Sequence, residues 1–341
     1  MQYASQEELT TSSERMSYGI INAGSTCYIN TCMTALGHCP SFLDFVQGFN
    51  ATAYPSKTLM NECVRLYKQL WDLKQPVMKP TKFLTVLHEH LGKCLDIYDQ
   101  NDLGEFLVMF LDKLNSNICV QVSDQMKYVI IDNMKYRNGC DFEKQRKIMD
   151  DAYFDCVKKE YSELIPMFYG QNVTQIVCGH CGKIHHNYEM FSTLMLPLNE
   201  ESTSLQDCME RYFQKEMLTA WKCDTCKETA PSCKTVLLWR TPDIMIFVIK
   251  RFKDNMIKNN KKIEVPLDLN IGNYSMDMHG YSYKLKSVGF HVGSFLGGHY
   301  YSVCKHPESG SWYMIDDLDV REVNPEGMDL GHGYVYFYER A

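Results

Sequence analysis

The chain of 341 residues carries 35 Lys and Arg against 42 Asp and Glu, a net charge of −7, with 15 cysteines. That length exceeds the usual single-core size and predicts two or more lobes or one elaborated domain. The acidic balance and the lack of a long Lys/Arg run argue against nucleic acid as a partner and leave a basic protein substrate compatible. No apolar stretch approaches the roughly 18 residues of a membrane span, and the N-terminus has no signal-peptide core. No membrane partner is therefore expected, and the location is read as cytoplasmic or nuclear, with thiols reduced.

Residues 1–17 are polar without periodicity and read as a mobile leader. In the stretch that follows, Gly24, Ser25 and Thr26 form a turn signal, and Ile29, Cys32, Met33 and Leu36 recur as one apolar helix face. Cys27 then stands at a helix N-terminus, where unpaired N–H groups and the helix dipole are expected to lower a thiol's pKa. Asn22, on the approach to the turn, is placed to aim its amide at the oxygen of a tetrahedral intermediate. The plainer reading of Cys27 is a small buried hydrophobe.

Further on, Leu59, Met60, Cys63, Leu66, Tyr67, Leu70 and Trp71 repeat at helical spacing and read as core. Another helix is marked by Leu103, Phe106, Leu107, Phe110, Leu111 and Leu114, with Asp102 and Glu105 at its start in the spacing of a capping box. Asp124 to Leu164 carries mixed charge and weak helical signals. From Pro166 the pattern turns toward strands at Gln175–Val177 and Phe191–Leu198.

This part holds Cys178-x-x-Cys181 and, later, Cys223-x-x-Cys226. Each tight turn points two thiolates at one ion, so two turns close a tetrahedral zinc site. A redox CxxC is the rival, disfavoured because two such pairs stand in a chain without a thioredoxin-like pattern. Four thiolates leave no open position, so the zinc would be structural. His180, His185 and His186 lie close by, either as replacement ligands or as exposed polar residues.

Beyond Arg240 short strands recur at Ile244–Ile249, Tyr283–Val288, Tyr300–Cys304, Trp312–Ile315 and Tyr334–Tyr338, separated by Gly and Pro turns, which argues for an antiparallel sheet. Gly297-Gly298-His299-Tyr300 sets a histidine beside two glycines at a strand start, and Asp316 and Asp317 follow one hairpin later. A thiol needs such a histidine to take its proton and return it to the leaving amine, and the histidine needs an acceptor to fix its tautomer.

These segments resemble the ubiquitin-specific protease family. Gly19 to Asn30 fills the cysteine-box pattern G-[LI]-x-N-x-G-x-T-C-Y-x-N, although Thr34 stands where the family has Gln. Asp99 to Phe106 resembles the Q-Q-D-x-x-E-F box, with Asn101 replacing the second Gln. Pro242 to Phe252 resembles the family's K-R-F strand, His291 to Asp317 its histidine box, and Tyr334 to Arg340 its closing strand. The resemblance implies an α+β, papain-like cysteine protease with a helical thumb (about 18–165), zinc-binding β fingers (about 166–240) and an antiparallel β palm (about 241–341). It implies hydrolysis of the isopeptide or peptide bond after the C-terminal glycine of ubiquitin, with ubiquitin, polyubiquitin and ubiquitinated proteins as partners. Cys27 would be the nucleophile, His299 the proton shuttle, Asp316 its orienter and Asn22 the oxyanion donor. Asp317 would orient His299 or polarise water, and Asp102 and Glu105 would meet the arginine-containing tail of ubiquitin. Two alternatives share these residues: a protease for another ubiquitin-like modifier, and a family member that holds ubiquitin without cutting it.

Overall fold

The computed structural model describes residues 17–132, 143–252, 257–276, 281–294 and 297–341. The expected leader falls outside the described residues except for Ser17, which is buried with its Oγ 3.1 Å from His38 Nε2. The first half of the chain is helical: α1 (Cys27–Gly37), α2 (Pro40–Gly48), α3 (Thr58–Tyr67), α4 (Thr81–Leu91), α5 (Leu103–Ile118), α6 (Lys127–Asp132), α7 (Glu143–Val157) and α8 (Leu164–Phe168). Every residue of α1 is buried, so its polar residues must be satisfied internally. Thr34 Oγ1 does so at the carbonyl of Asn30 (2.9 Å) and at Ser302 Oγ (2.8 Å).

The second half contributes β1 (Gly170–Val177), β2 (Ile184–Phe191), β3 (Leu194–Pro197), α9 (Leu205–Phe213), β4 (Glu216–Lys222), β5 (Thr229–Arg240), β6 (Ile244–Lys250), β7 (Asp268–Asn270), β8 (Ser282–Ser294), β9 (Gly297–Lys305), β10 (Trp312–Asp316), β11 (Asp319–Val323) and β12 (Val335–Arg340). They form two sheets. The larger has the order β11-β10-β9-β8-β12-β6-β3, with β7 on β8, and the smaller β2-β1-β5-β4. All pairings are antiparallel except β3 with β6. The chain between 166 and 240 thus visits both sheets, because β3 returns to the large one before α9 and β4.

The unbroken apolar run of β6 follows from burial on both faces. Ile244, Ile246 and Val248 join Val335 and Phe337 in a core shared with α1–α5 and α8. Met245, Phe247 and Ile249 join Tyr336 and Tyr338 in a second core under α9. The large sheet is the middle layer, and α1 packs on its β8 and β9 strands.

The weakly patterned segment forms α7, whose inner side carries Met149, Tyr153, Phe154 and Val157. Asp150 lies among them and receives Arg240 Nη2 of β5 at 2.5 Å, while that guanidinium sits 4.2 Å over the Tyr153 ring. Both ions are buried. Asp150→Ala is therefore expected to cost about 3–5 kcal/mol, because it strips a buried cation of its carboxylate. Replacing both residues by Leu should cost less; denaturant unfolding of the two variants makes the comparison.

Candidate active site

Asn22 shapes the turn that delivers Cys27. Its side-chain carbonyl accepts from the N–H groups of Gly24 (3.1 Å) and Thr26 (3.2 Å), and its Nδ2 donates to Asp317 Oδ2 (3.0 Å). One amide hydrogen is thereby committed, and among the described residues no partner takes the other. Cys27 opens α1, is 5 % exposed, and faces the start of β9. Its pKa is raised: burial dominates, the Tyr300 N–H opposes it, and Asp317 adds to the rise. The expected lowering at the helix N-terminus is thus overridden, since burial disfavours the anion more than the local N–H groups favour it.

The residue before Tyr300 is His299. Its Nε2 hydrogen-bonds Asp316 Oδ1 at the end of β10, while Asp317 Oδ2 is 4.0 Å from the same nitrogen. With Nε2–H donated to Asp316, Nδ1 keeps the lone pair that can take a thiol proton. Asp316 is therefore the histidine's partner.

Asp317 has other work. It lies at φ 51° in the β10–β11 turn, its carbonyl accepts from Ile20 N–H at 3.0 Å, and its carboxylate takes Asn22 Nδ2 and also Asn30 Nδ2 (2.7 Å). A Cβ on Gly19 would stand 1.8 Å from that carbonyl oxygen, so the strand carrying the cysteine turn can dock here only as glycine. Asn30 also donates to the carbonyls of Ile20 (3.1 Å) and Ile21 (3.2 Å). Its role in locking α1 to this strand went unread in the sequence, although Asn30 fills the last fixed place of the cysteine-box pattern.

A cleft of about 650 Å³ leads to the thiol, lined among others by Gln100, Asp102, Glu105, Tyr300 and Tyr334. Asp102 Oδ1 caps α5 at Glu105 N–H (3.0 Å), and its Oδ2 accepts from Tyr334 OH (2.5 Å). Both oxygens are engaged inside the protein. Glu105 is exposed in the cleft and makes no ion pair among the described residues. Asn101 donates to Tyr28 OH (3.1 Å) and to the carbonyls of Asp96 (2.7 Å) and Asp99 (2.9 Å), which fixes the loop beside the nucleophile.

At the far end of the small sheet the two CxxC turns repeat one geometry. Gly182 N–H bonds the Cys178 carbonyl and Lys227 N–H the Cys223 carbonyl, each at 2.9 Å, with Gly182 and Lys227 at φ 68° and 65°. Sulfurs meet across the turns at 3.9 Å (Cys178–Cys226) and 3.8 Å (Cys181–Cys223), and all four lie within 4.8 Å of one another. Zn–S bonds of about 2.3 Å in a tetrahedron require a sulfur spacing of about 3.8 Å, so the thiols fit that ion. Cys223 is held below the usual thiol range, first by the Cys226 N–H and further by Thr225 N–H and His185.

A thiol on a helix start, met across a cleft by a histidine and an aspartate on neighbouring strands, is the architecture of a papain-like cysteine protease. The family profile described as ubiquitin carboxyl-terminal hydrolase matches residues 18–338, and the chain belongs to that family. Ubiquitin carboxyl-terminal hydrolase Usp2 of Drosophila melanogaster is 26 % identical over 95 % of this chain and 35 % of its own length. Ubiquitin carboxyl-terminal hydrolase 2 of Rattus norvegicus is 25 % identical over 95 % of this chain and 54 % of its own. The chain thus spans between about a third and about half the length of these relatives. Among solved structures, the SAGA Ubp8/Sgf11/Sus1/Sgf73 DUB module bound to ubiquitin aldehyde superposes with a TM-score of 0.72 at 21 % identity, over 95 % of this chain and 69 % of that one. The fold is accordingly the helical thumb, β palm and β fingers of that architecture.

Proposed function

We propose that this chain hydrolyses the isopeptide or peptide bond after the C-terminal glycine of ubiquitin. The carrying observation is Cys27 at the start of α1, facing the N–H of Tyr300, the residue that follows a histidine whose Nε2 is fixed on Asp316. His299 Nδ1 takes the Cys27 proton as sulfur attacks the carbonyl carbon, which suits a thiol whose pKa burial has raised. The oxyanion is met by backbone N–H at the helix start and by the open amide hydrogen of Asn22, held in place by Asp317. His299 then protonates the leaving amine, and the thioester is left. Water attacks it, His299 takes the water's proton, and the thiolate departs from a free carboxylate. Support for ubiquitin comes from the family and from the ubiquitin aldehyde bound to the similar module.

The four fingertip thiols are read as a structural zinc site, whose closed shell supplies folding rather than chemistry. A cytoplasmic or nuclear location agrees with free thiols at the described cysteines outside that cluster. The net charge of −7 favours protein over nucleic acid as partner, and no described helix is long and apolar enough to cross a membrane.

The test is ubiquitin carrying an electrophile at its C-terminus, beside other modifiers ending in Gly-Gly. An adduct with ubiquitin, mapped to Cys27 by mass spectrometry, is expected. Labelling by another modifier alone would replace ubiquitin as substrate, and ubiquitin binding with no adduct would make the chain a holder.

Asp316→Ala is expected to lower kcat about 10³- to 10⁴-fold with little change in melting temperature, as loss of a histidine orienter does in serine proteases. Asp317→Ala should lower kcat about 10²- to 10³-fold, the effect of one oxyanion donor, and also lower the melting temperature, because Asn30 loses its charged acceptor. Steady-state kinetics with thermal melts separate the two roles.

Glu105 supplies the open carboxylate for the arginines of the ubiquitin tail. Glu105→Gln keeps shape and removes charge, so KM for ubiquitin substrates should rise about 10- to 100-fold, the worth of a charge-assisted hydrogen bond. The melting temperature should stay put. A lower melting temperature at unchanged KM would leave the residue only its place in the first turn of α5.

A further inference from the structure

The four-thiol cluster leaves one nearby side chain without a role. His185, on β2, sets Nε2 3.3 Å from Cys223 Sγ, and its ring meets the ring of Trp221 on β4 edge-on, with centroids 4.9 Å apart. β2 and β4 are opposite edges of the small sheet, so this contact brings the two edges together beside the thiols. The other histidines do something else. His186 bonds Gln175 Nε2 at 3.2 Å and stacks on Tyr188, and His180 is exposed.

His185 is close to one sulfur but is not part of the set of mutually close ligand atoms, which holds the four sulfurs alone. That geometry is of a donor to a ligand rather than of a ligand. Four thiolates on one Zn²⁺ leave two surplus negative charges, and N–H groups pointed at sulfur relieve them. Cys178 receives the Cys181 N–H at 3.5 Å and Cys223 the Thr225 N–H at 3.4 Å. Among the described residues, Cys223 is the one of the four with a side chain other than cysteine in hydrogen-bond reach of its sulfur.

We propose that His185 is an outer-sphere residue of the zinc site: its Nε2–H donates to the Cys223 thiolate and, backed by Trp221, ties β2 to β4 over the ion and slows its loss. The proposal rests on the zinc reading of the four thiols. A ring packed on Trp221 is pre-set for that bond, so forming it orders no free side chain. Release of zinc requires Cys223 to swing away, and His185 resists that movement at the sulfur itself.

The test compares wild type, His185→Ala and His185→Gln as the full chain, each first assayed for bound metal by mass spectrometry. Transfer of zinc to a chromogenic chelator is then timed, and X-ray absorption at the zinc edge counts the ligands of the wild type. Four sulfurs are expected. His185→Ala should lose zinc about 10- to 100-fold faster or bind it that much more weakly, the usual effect of removing an outer-sphere partner. His185→Gln, whose amide can donate from a similar reach, should recover most of the difference, and this recovery also shows that the fold tolerates change here. Equal release from all three proteins would overturn the proposal, as would three sulfurs and a nitrogen in the wild type, which would make His185 a ligand. Absence of zinc from the wild type would instead overturn the zinc reading, before any comparison of variants.

Discussion

Cys27→Ala is expected to end cleavage of ubiquitin substrates and labelling by electrophile-tipped ubiquitin, a loss on the order of 10⁶-fold in kcat, as for removal of a catalytic nucleophile. The size follows from how little can substitute. Cys32 and Cys39, on or next to the same helix, have pKa values pushed well above the usual thiol range by burial, and Cys304 is pushed up to about 11. All three are fully buried, out of reach of a substrate. Water in place of sulfur would keep the oxyanion donors and His299 but would have to be activated without an attached nucleophile. The fold should not suffer, since the change removes one sulfur on the wall of a cleft, and the dissociation constant for ubiquitin should stay within a few-fold. Isothermal titration beside a cleavage assay reads both. Persistent cleavage would transfer the role to another group.

Cys223→Ser should be the most damaging change to structure. Structural zinc contributes on the order of 10 kcal/mol of apparent binding free energy in small finger peptides, and binding there is folding. The fingers are unusually dependent on such a staple. β4 buries none of its side chains, and β2 buries none fully, so the distal sheet has little apolar area to hold it. The variant should purify without zinc, show a new low-temperature unfolding step, and be cut by protease between the two knuckles. The palm should melt near its original temperature, because its two cores take from the small sheet only Leu238 of β5, with Val236 of β5 and Phe191 of β2 packed against it. Excess chelator should bring wild type to the same state. A zinc-free variant with an unaltered melting curve would show that the sheet stands alone.

Local chemistry was what the sequence revealed. Cys27, His299 and the four knuckle cysteines stand in short patterns whose meaning lies within a dozen residues, and β6 is an apolar run that announces its burial. The parts that stayed hidden depend on distant partners. α7 lost its stripe because Asp150 occupies an inner position, where it meets Arg240 ninety positions later as well as Arg146 one turn before. β5 contains Pro231, which speaks against an inner strand. The structure accommodates it where β4 slips register between Leu218 and Trp221. β3 is too short to betray that it runs parallel to β6. Asp317 read as a companion of the histidine because it adjoins Asp316; its Oδ2 does lie 4.0 Å from His299 Nε2, but the two asparagines that its carboxylate also accepts from stand nearly 300 positions earlier and could not be read as its partners.

The docking of the Gly19–Asn22 strand on the Asp317 turn has a bearing on when the protein becomes active during its synthesis. Asn22 and Asp317 are 295 positions apart, so the ribosome delivers the nucleophile well before its scaffold. Chains made from the N-terminus fold domain by domain as they emerge. The helices can gather early, but the turn that presents Cys27 has no anchor until the β10–β11 hairpin has cleared the exit tunnel. A truncated or stalled chain therefore carries the thiol without the means to use it. The cysteine turn is therefore anchored in one step, when that hairpin docks.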